Sequence, residues 1–238
     1  MGWLVATLIL LSAGEPAPAP AAAPWRRIAA GAEHLHLDDL DGEALRFDLG
    51  LFDVGIVVPG AAQPLTAAHV RLQQRAVLAS NGGFFDTEGR SLGLRIAAGK
   101  TVIGLRPRVD WGVLVIRAGR AAIVHSREYQ PAPDITAAIQ VGPRVLVQGQ
   151  VPGLKPQSSR RTAVGVDRDG KHLTVLATRS RVSASELGET LRRLGCENAL
   201  LLDGGPSTQL SAAVGDLALE LPGGYPVPDA LFIVPRPH

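Results

Sequence analysis

A single cysteine, Cys196, excludes an intramolecular disulfide and any cysteine-rich zinc site. It lies between Gly195 and Glu197 after a helix-like segment, where a buried structural thiol is expected. Lysine is almost as scarce: of 24 cationic residues only three are lysines, and the rest are arginines. Aromatic residues make up 4% of the chain and no basic run occurs, so the footprint of a nucleic-acid-binding protein is missing. Long apolar runs are missing too. Trp3 to Leu11 is the one candidate, well short of the ~18 residues expected of a membrane-spanning helix.

What remains is the composition of a globular protein with a sizeable core: 46% hydrophobic and 19% charged residues, with a net charge of +2. The apolar run at the start is followed by Ser12-Ala-Gly14, small residues suited to signal-peptidase cleavage, and then by a Pro/Ala tract. Residues 1–14 are therefore expected to be a signal peptide and 15–24 an extended linker, with export to the periplasm or medium. Residues 25–238 would form one domain.

Within that domain, His34-Leu-His-Leu and Leu45-Arg-Phe-Asp-Leu alternate with period two around an Asp41-Gly42 turn, the pattern of a strand pair. Turn residues also divide β-rich runs at Ala98-Gly99, Ala118-Gly119, Gly142-Pro143 and Asp167-Arg-Asp-Gly170, which predicts four further hairpins. Thr66 fits the N-cap of a short helix to about Gln74. Ser183-Ala-Ser-Glu186 fits a capping box, with Leu187, Leu191 and Leu194 at helical spacing and Gly195 as the stop. The expected fold is α+β: a single domain with a mixed, hairpin-rich sheet and a few packed helices. His34 and His36 share a strand face and, without a third ligand nearby, read as solvated.

Three stretches hold the chemistry. The last, Asn198-Ala-Leu-Leu-Leu-Asp-Gly-Gly-Pro-Ser-Thr-Gln209, is a short apolar strand ending in Asp203, two glycines and two hydroxyls. Glycine there permits a sharp bend and close approach of a ligand; the plainer reading is an ordinary turn in which Asp203 bonds its own backbone. Ala76-Val-Leu-Ala-Ser-Asn-Gly-Gly-Phe-Phe-Asp86 repeats the arrangement, with Asn81 in the place of Asp203. Ser158-Ser-Arg-Arg-Thr-Ala-Val packs hydroxyl and guanidinium groups at the start of a strand. If the three meet, they bring together Asp86, Asp203, Arg160 or Arg161, Thr162, Ser207, Thr208 and the amides of Gly82, Gly83, Gly204 and Gly205. Arginine with exposed amides suits a phosphate, and a carboxylate beside a sugar carbon suits glycosidic cleavage.

Asn81-Gly-Gly-Phe-Phe-Asp with Gly93-Leu94 downstream, Arg161-Thr-Ala-Val-Gly, and Leu202-Asp-Gly-Gly-Pro-Ser-Thr, in this order, resemble the phosphodiester glycosidase family, whose bacterial members are often described as exopolysaccharide-related. The resemblance runs from about Leu72 to Pro235. It implies hydrolysis of a sugar-1-phosphodiester at the anomeric carbon–oxygen bond. In that role Asp203 would be the catalytic carboxylate, as nucleophile or as base for water, and Arg161 with the Gly204-Gly205 amides would stabilise the leaving phosphate. Asn81 and Asp86 would hold sugar hydroxyls or orient Asp203. Pro206 departs from the family pattern and removes one amide donor. No cofactor is expected, and a divalent metal is left open.

Competing readings have less support. A serine hydrolase built on Ser207 lacks the Gly-x-Ser-x-Gly elbow. A metal-dependent phosphodiester hydrolase lacks ligand-spaced clusters. A carbohydrate-binding module without catalysis would display aromatic rings, which are few.

Overall fold

The computed structural model describes residues 25–59 and 63–237. The expected signal peptide and linker, residues 1–24, lie outside them. Three antiparallel sheets enclose one core. The first has seven strands in the order Arg26–Ala29, Ala32–Leu37, Gly42–Asp48, His172–Thr178, Thr162–Val166, Asn198–Leu201 and Arg144–Leu146. The second has five: Lys100–Ile103, Arg95–Ala97, Ile135–Val141, Gly112–Arg117 and Arg120–His125. The third also has five: Leu217–Leu221, Leu210–Val214, Leu78–Asn81, Ala230–Pro235 and Phe52–Val57. A small ribbon pairs Ser158–Ser159 with Val182–Ser183.

Leu45, Phe47 and Leu200 of the first sheet, Leu114 and Ile139 of the second, and Leu78 and Leu231 of the third all meet in this core. Two helices cover outer faces. Helix α1 (Ala67–Gln73) starts where the Thr66 hydroxyl accepts from the His69 amide, and it lays Ala67 and Val70 on Ala79 and Ala230 of the third sheet. Helix α2 (Ala184–Arg193) has a complete capping box: the Ser183 hydroxyl accepts from the Glu186 amide and the Glu186 carboxylate accepts from the Ser183 amide. Its Leu187 and Leu191 pack on Ala163, Ala199 and Leu201 of the first sheet. The strand Asn198–Leu201 is thus buried on both faces, with Leu200 toward the core and Leu201 toward α2, which is why it reads as a continuous apolar run.

Three expectations need correction. The sheets are not mixed: every strand pair among the described residues is antiparallel. Strand content also outweighs the two α-helices of the described residues, and each helix leads into a strand whose neighbours on both sides run antiparallel to it. Gly142-Pro143 does not turn a hairpin. The strand before it joins the second sheet and the strand after it the first, so this joint carries the chain between layers. Finally, His34 and His36 do share a face but are not simply solvated. Both lie against the carboxylate of buried Glu43, at 2.8 and 3.2 Å, and Arg179 completes the cluster at 2.8 Å.

The other predicted turns, at Asp41-Gly42, Ala98-Gly99, Ala118-Gly119 and Asp167–Gly170, each join paired strands. Cys196 is buried, and burial pushes its thiol up to about 12.

Candidate active site

The three stretches converge at the edge where the first and third sheets meet. The amide of Leu202 donates to Thr162 O at 2.9 Å, extending the first sheet by one rung past its last strand residue. The next amide, that of Asp203, crosses to the third sheet and donates to Gly82 O at 3.0 Å. Asn81 fastens this crossing. Its Nδ2 donates to Asp203 O at 2.8 Å and to Gly82 O at 3.1 Å, and its Oδ1 accepts from the Thr162 hydroxyl at 2.7 Å and from the Gln209 amide at 3.2 Å. Both Asn81 and Thr162 are fully buried. With both ends of its amide engaged, Asn81 positions the Asp203 backbone and sits behind the site.

The paired glycines have a specific structural cause. The Gly82 amide donates to Asp229 O and the Gly83 amide to Asp229 Oδ1, at 3.0 and 2.8 Å. Asp229 is in turn ion-paired with Arg95 at 3.0 Å, and both side chains are completely buried. A Cβ on Gly82 would collide with the Asp229 carboxylate, and one on Gly83 with the Arg95 guanidinium. Those glycines admit a buried ion pair rather than a ligand. The guanidinium also donates to the carbonyls of Leu92, Leu94 and Gln140, so the buried charge is well solvated by protein.

The expected nest of free amides is absent as well. Gly204 N donates to Asp203 Oδ1 at 2.9 Å, and Gly205 N donates to Arg160 O at 2.9 Å. All four glycine amides therefore have partners inside the protein. Ser207 and Thr208 are buried beneath the turn, with Ser207 Oγ 3.2 Å from the Tyr225 hydroxyl. Asp86 is not among the residues that wall the cleft. It accepts from the amides of Glu88 and Arg90 and pairs with the Arg90 side chain at 2.8 Å, a self-contained turn that holds its carboxyl below the ordinary value.

What faces the open cleft is Asp203 with two arginines. A cavity of about 640 Å³ is walled by Phe84, Pro143, Ser159, Arg161, Arg181 and Asp203, among others, and among the described residues Asp203 is the only carboxylate in the wall. Burial pushes the Asp203 carboxyl above its ordinary value, and the negative charge of nearby Asp229 adds to this. Hydrogen bonds from the Ser207 hydroxyl and the Gly204 amide act in the opposite direction without prevailing.

Arg161 is held by Gln157 O at 2.6 Å and Val182 O at 3.4 Å, and Arg181 by Ser158 O at 2.7 Å. Among the described residues neither guanidinium has a carboxylate within 4.0 Å. Burial, with the like charge of Arg181 beside it, lowers the pKa of Arg161, though an arginine stays charged at any working pH. Arg160 points elsewhere, to the carbonyls of Thr208 and Pro222.

Arg181 is the cleft residue that motif reading passed over. The hairpin turning at Asp167–Gly170 pairs Thr162 with Ala177, so Arg179–Arg181 must return beside Ser158–Arg161. That register was the available signal. A second cleft of about 410 Å³ at the other end of the first sheet contains two internal ion pairs, Arg46 with Glu33 and His172 with Asp167, beside Arg27 and Asp48. No group of three or more His, Cys, Asp or Glu side chains that could hold a metal ion occurs among the described residues.

Comparison with known proteins agrees with this architecture. Residues 74–234 match the family model of phosphodiester glycosidases, NAGPA. A curated relative, the uncharacterised protein YigE of Escherichia coli, is 26% identical over 149 residues, 58% of this chain, and the match spans 59% of that protein's length. The catalytic domain of zebrafish N-acetylglucosamine-1-phosphodiester α-N-acetylglucosaminidase superposes with a TM-score of 0.65 over 86% of this chain and 82% of that one, at 19% identity. An exported protein of Burkholderia pseudomallei, described as putative, superposes with a TM-score of 0.62 over 86% and 74% of the two chains, at 14% identity. At such identities the superpositions speak to the fold, and the family model to the lineage. The chain belongs to the phosphodiester glycosidase family.

Proposed function

We propose that this protein hydrolyses a sugar-1-phosphodiester at the anomeric carbon–oxygen bond, releasing the free sugar and a phosphomonoester. The observation that carries the reading is one carboxylate, Asp203, in one cleft with two guanidiniums that have no carboxylate partner among the described residues. An ordinary glycosidase needs a second carboxyl group to protonate its leaving group. A phosphate leaving group is already stable as an anion, so cations can take that place.

In this scheme the substrate phosphate lies against Arg161 and Arg181, and the anomeric carbon lies toward Asp203. The bond between that carbon and the bridging oxygen breaks with its electron pair going to the phosphate, whose growing charge the guanidiniums stabilise. Water supplies the hydroxyl that ends on the sugar, and its proton passes to solvent by way of Asp203. Asp203 acts either directly on the carbon or as the base for that water. Burial raises the proton affinity of its carboxyl, which suits it to the role of base. The same reading has the chain exported, on the strength of the apolar run and small residues at its start.

The test is release of free sugar from synthetic sugar-1-phosphodiesters by the purified protein and by Asp203→Asn. Turnover by the wild type and its loss in the variant is the expected result. Equal turnover by the two proteins would remove Asp203 from the chemistry.

A further inference from the structure

A phosphodiester carries one negative charge, whereas a phosphomonoester carries about −1.5 to −2 near neutral pH because its second pKa is about 6. Cleavage therefore raises the charge of the group lying in the cleft. The cleft is built for the higher charge. Arg161 gives two of its five N–H donors to protein carbonyls and Arg181 one, which leaves most of each planar fork unspent. The ribbon of Ser158–Ser159 and Val182–Ser183 holds the two like charges together, and the Arg161 amide and carbonyl are both bonded to Thr178, at 3.0 and 2.9 Å. Two cations fixed side by side repel each other, and an anion with a second charge relieves more of that repulsion than one with a single charge.

Resting on the hydrolytic reading above, we propose that the cleft grips the phosphomonoester product as a dianion between Arg161 and Arg181, so that the enzyme is restrained by its own phosphate product. The opposing titratable group is Asp203. Behind it Asp229 is tied to Arg95, Tyr225 lies beyond Ser207, and no histidine among the described residues lines the cavity. Asp203 loses its proton as pH rises and so weakens anion binding, while ionisation of the phosphate strengthens it.

The experiment separates these by working in Asp203→Asn, with the wild type alongside. Calorimetric titrations use glycerol 3-phosphate as the monoester and dimethyl phosphate as the diester, at about pH 5 and about pH 7.5, either side of the phosphate's second pKa. Glycerol 3-phosphate is expected to bind about tenfold more tightly at the higher pH, and about tenfold more tightly there than dimethyl phosphate. Adding Arg181→Gln, an exposed position that leaves the fold in place, should abolish both differences. Equal affinity for the two esters, an affinity independent of pH, or full retention of both differences in the Arg181→Gln protein would each overturn the proposal. Because binding is read without turnover, a dianion preference in a protein that cleaves no sugar phosphodiester would sink the hydrolytic reading alone. Turnover without that preference would sink this one alone.

Discussion

Asp203 combines two properties that pull stability and activity apart. Its carboxyl is partly desolvated and sits near a second negative charge, so its folded-state pKa is raised. A raised carboxyl stabilises the fold fully only below its unfolded-state pKa, and that contribution is lost as pH rises through the folded-state value. At neutral pH the ionised Asp203 is therefore a net cost to the fold. Asp203→Asn keeps an oxygen able to accept from the Gly204 amide. It is expected to raise the melting temperature near neutral pH, with the gain vanishing in acid, while lowering kcat by about 10²–10⁴-fold, the usual worth of a general base. The acid limb of the wild-type rate profile should lie above the ordinary aspartate range for the same reason. A variant that lost activity and stability together would mark Asp203 as structural. Asp86→Asn makes the contrasting case: its partners belong to its own turn, so turnover should survive.

Gly82 illustrates how the residue scale can mislead. In the sequence Gly82-Gly83 and Gly204-Gly205 are the same signal, yet the first pair makes room for the Arg95–Asp229 ion pair and the second turns the chain beside Arg160. Gly82→Ala should destabilise the fold by about 1–3 kcal/mol, the range for overpacking a filled interior, read as a shift in the denaturation midpoint. The partner that explains Gly82, Asp229, lies 146 residues further along from the Gly83 amide it accepts, so no local pattern could reveal it.

At the scale of elements, what was legible followed local rules. Helix α2 was readable because its cap, apolar spacing and stop are all within one stretch, and Ser183→Ala should cost about 1 kcal/mol in a denaturant titration. The four hairpins at Asp41-Gly42, Ala98-Gly99, Ala118-Gly119 and Asp167–Gly170 were readable for the same reason. Gly142-Pro143 was not, because whether a turn closes a hairpin or passes the chain to another sheet depends on partners far away in sequence: Gly112–Arg117 on one side of the joint and Asn198–Leu201 on the other. The sheets' antiparallel order was hidden likewise, since Leu78–Asn81 lies between two partners from distant segments and Thr162–Val166 has one such partner, Asn198–Leu201, beside its own hairpin mate. The motif residues Asn81, Thr162 and Asp203 could be picked out as a group, but not the division of labour by which Asn81 and Thr162 brace the crossing that Asp203 makes.

For the whole molecule, three sheets around one core hold the edges of the first and third sheets in fixed relation, and the cleft lies at that junction. Asp203 is tied to both sheets through consecutive amides, those of Leu202 and Asp203. Arg161 lies beside Asp203 at the start of the neighbouring strand, and Arg161 and Arg181 flank the ribbon that leads into α2. The central claim is that this arrangement acts on a phosphate leaving group. It is tested most directly by turnover of a panel of sugar-1-phosphodiesters beside simple glycosides of the same sugars, with and without chelator. The account predicts sugar release from phosphodiesters, little from the matched glycosides, and no loss on chelation. Release from the simple glycosides alone would contradict it, and so would activity that disappears with chelator.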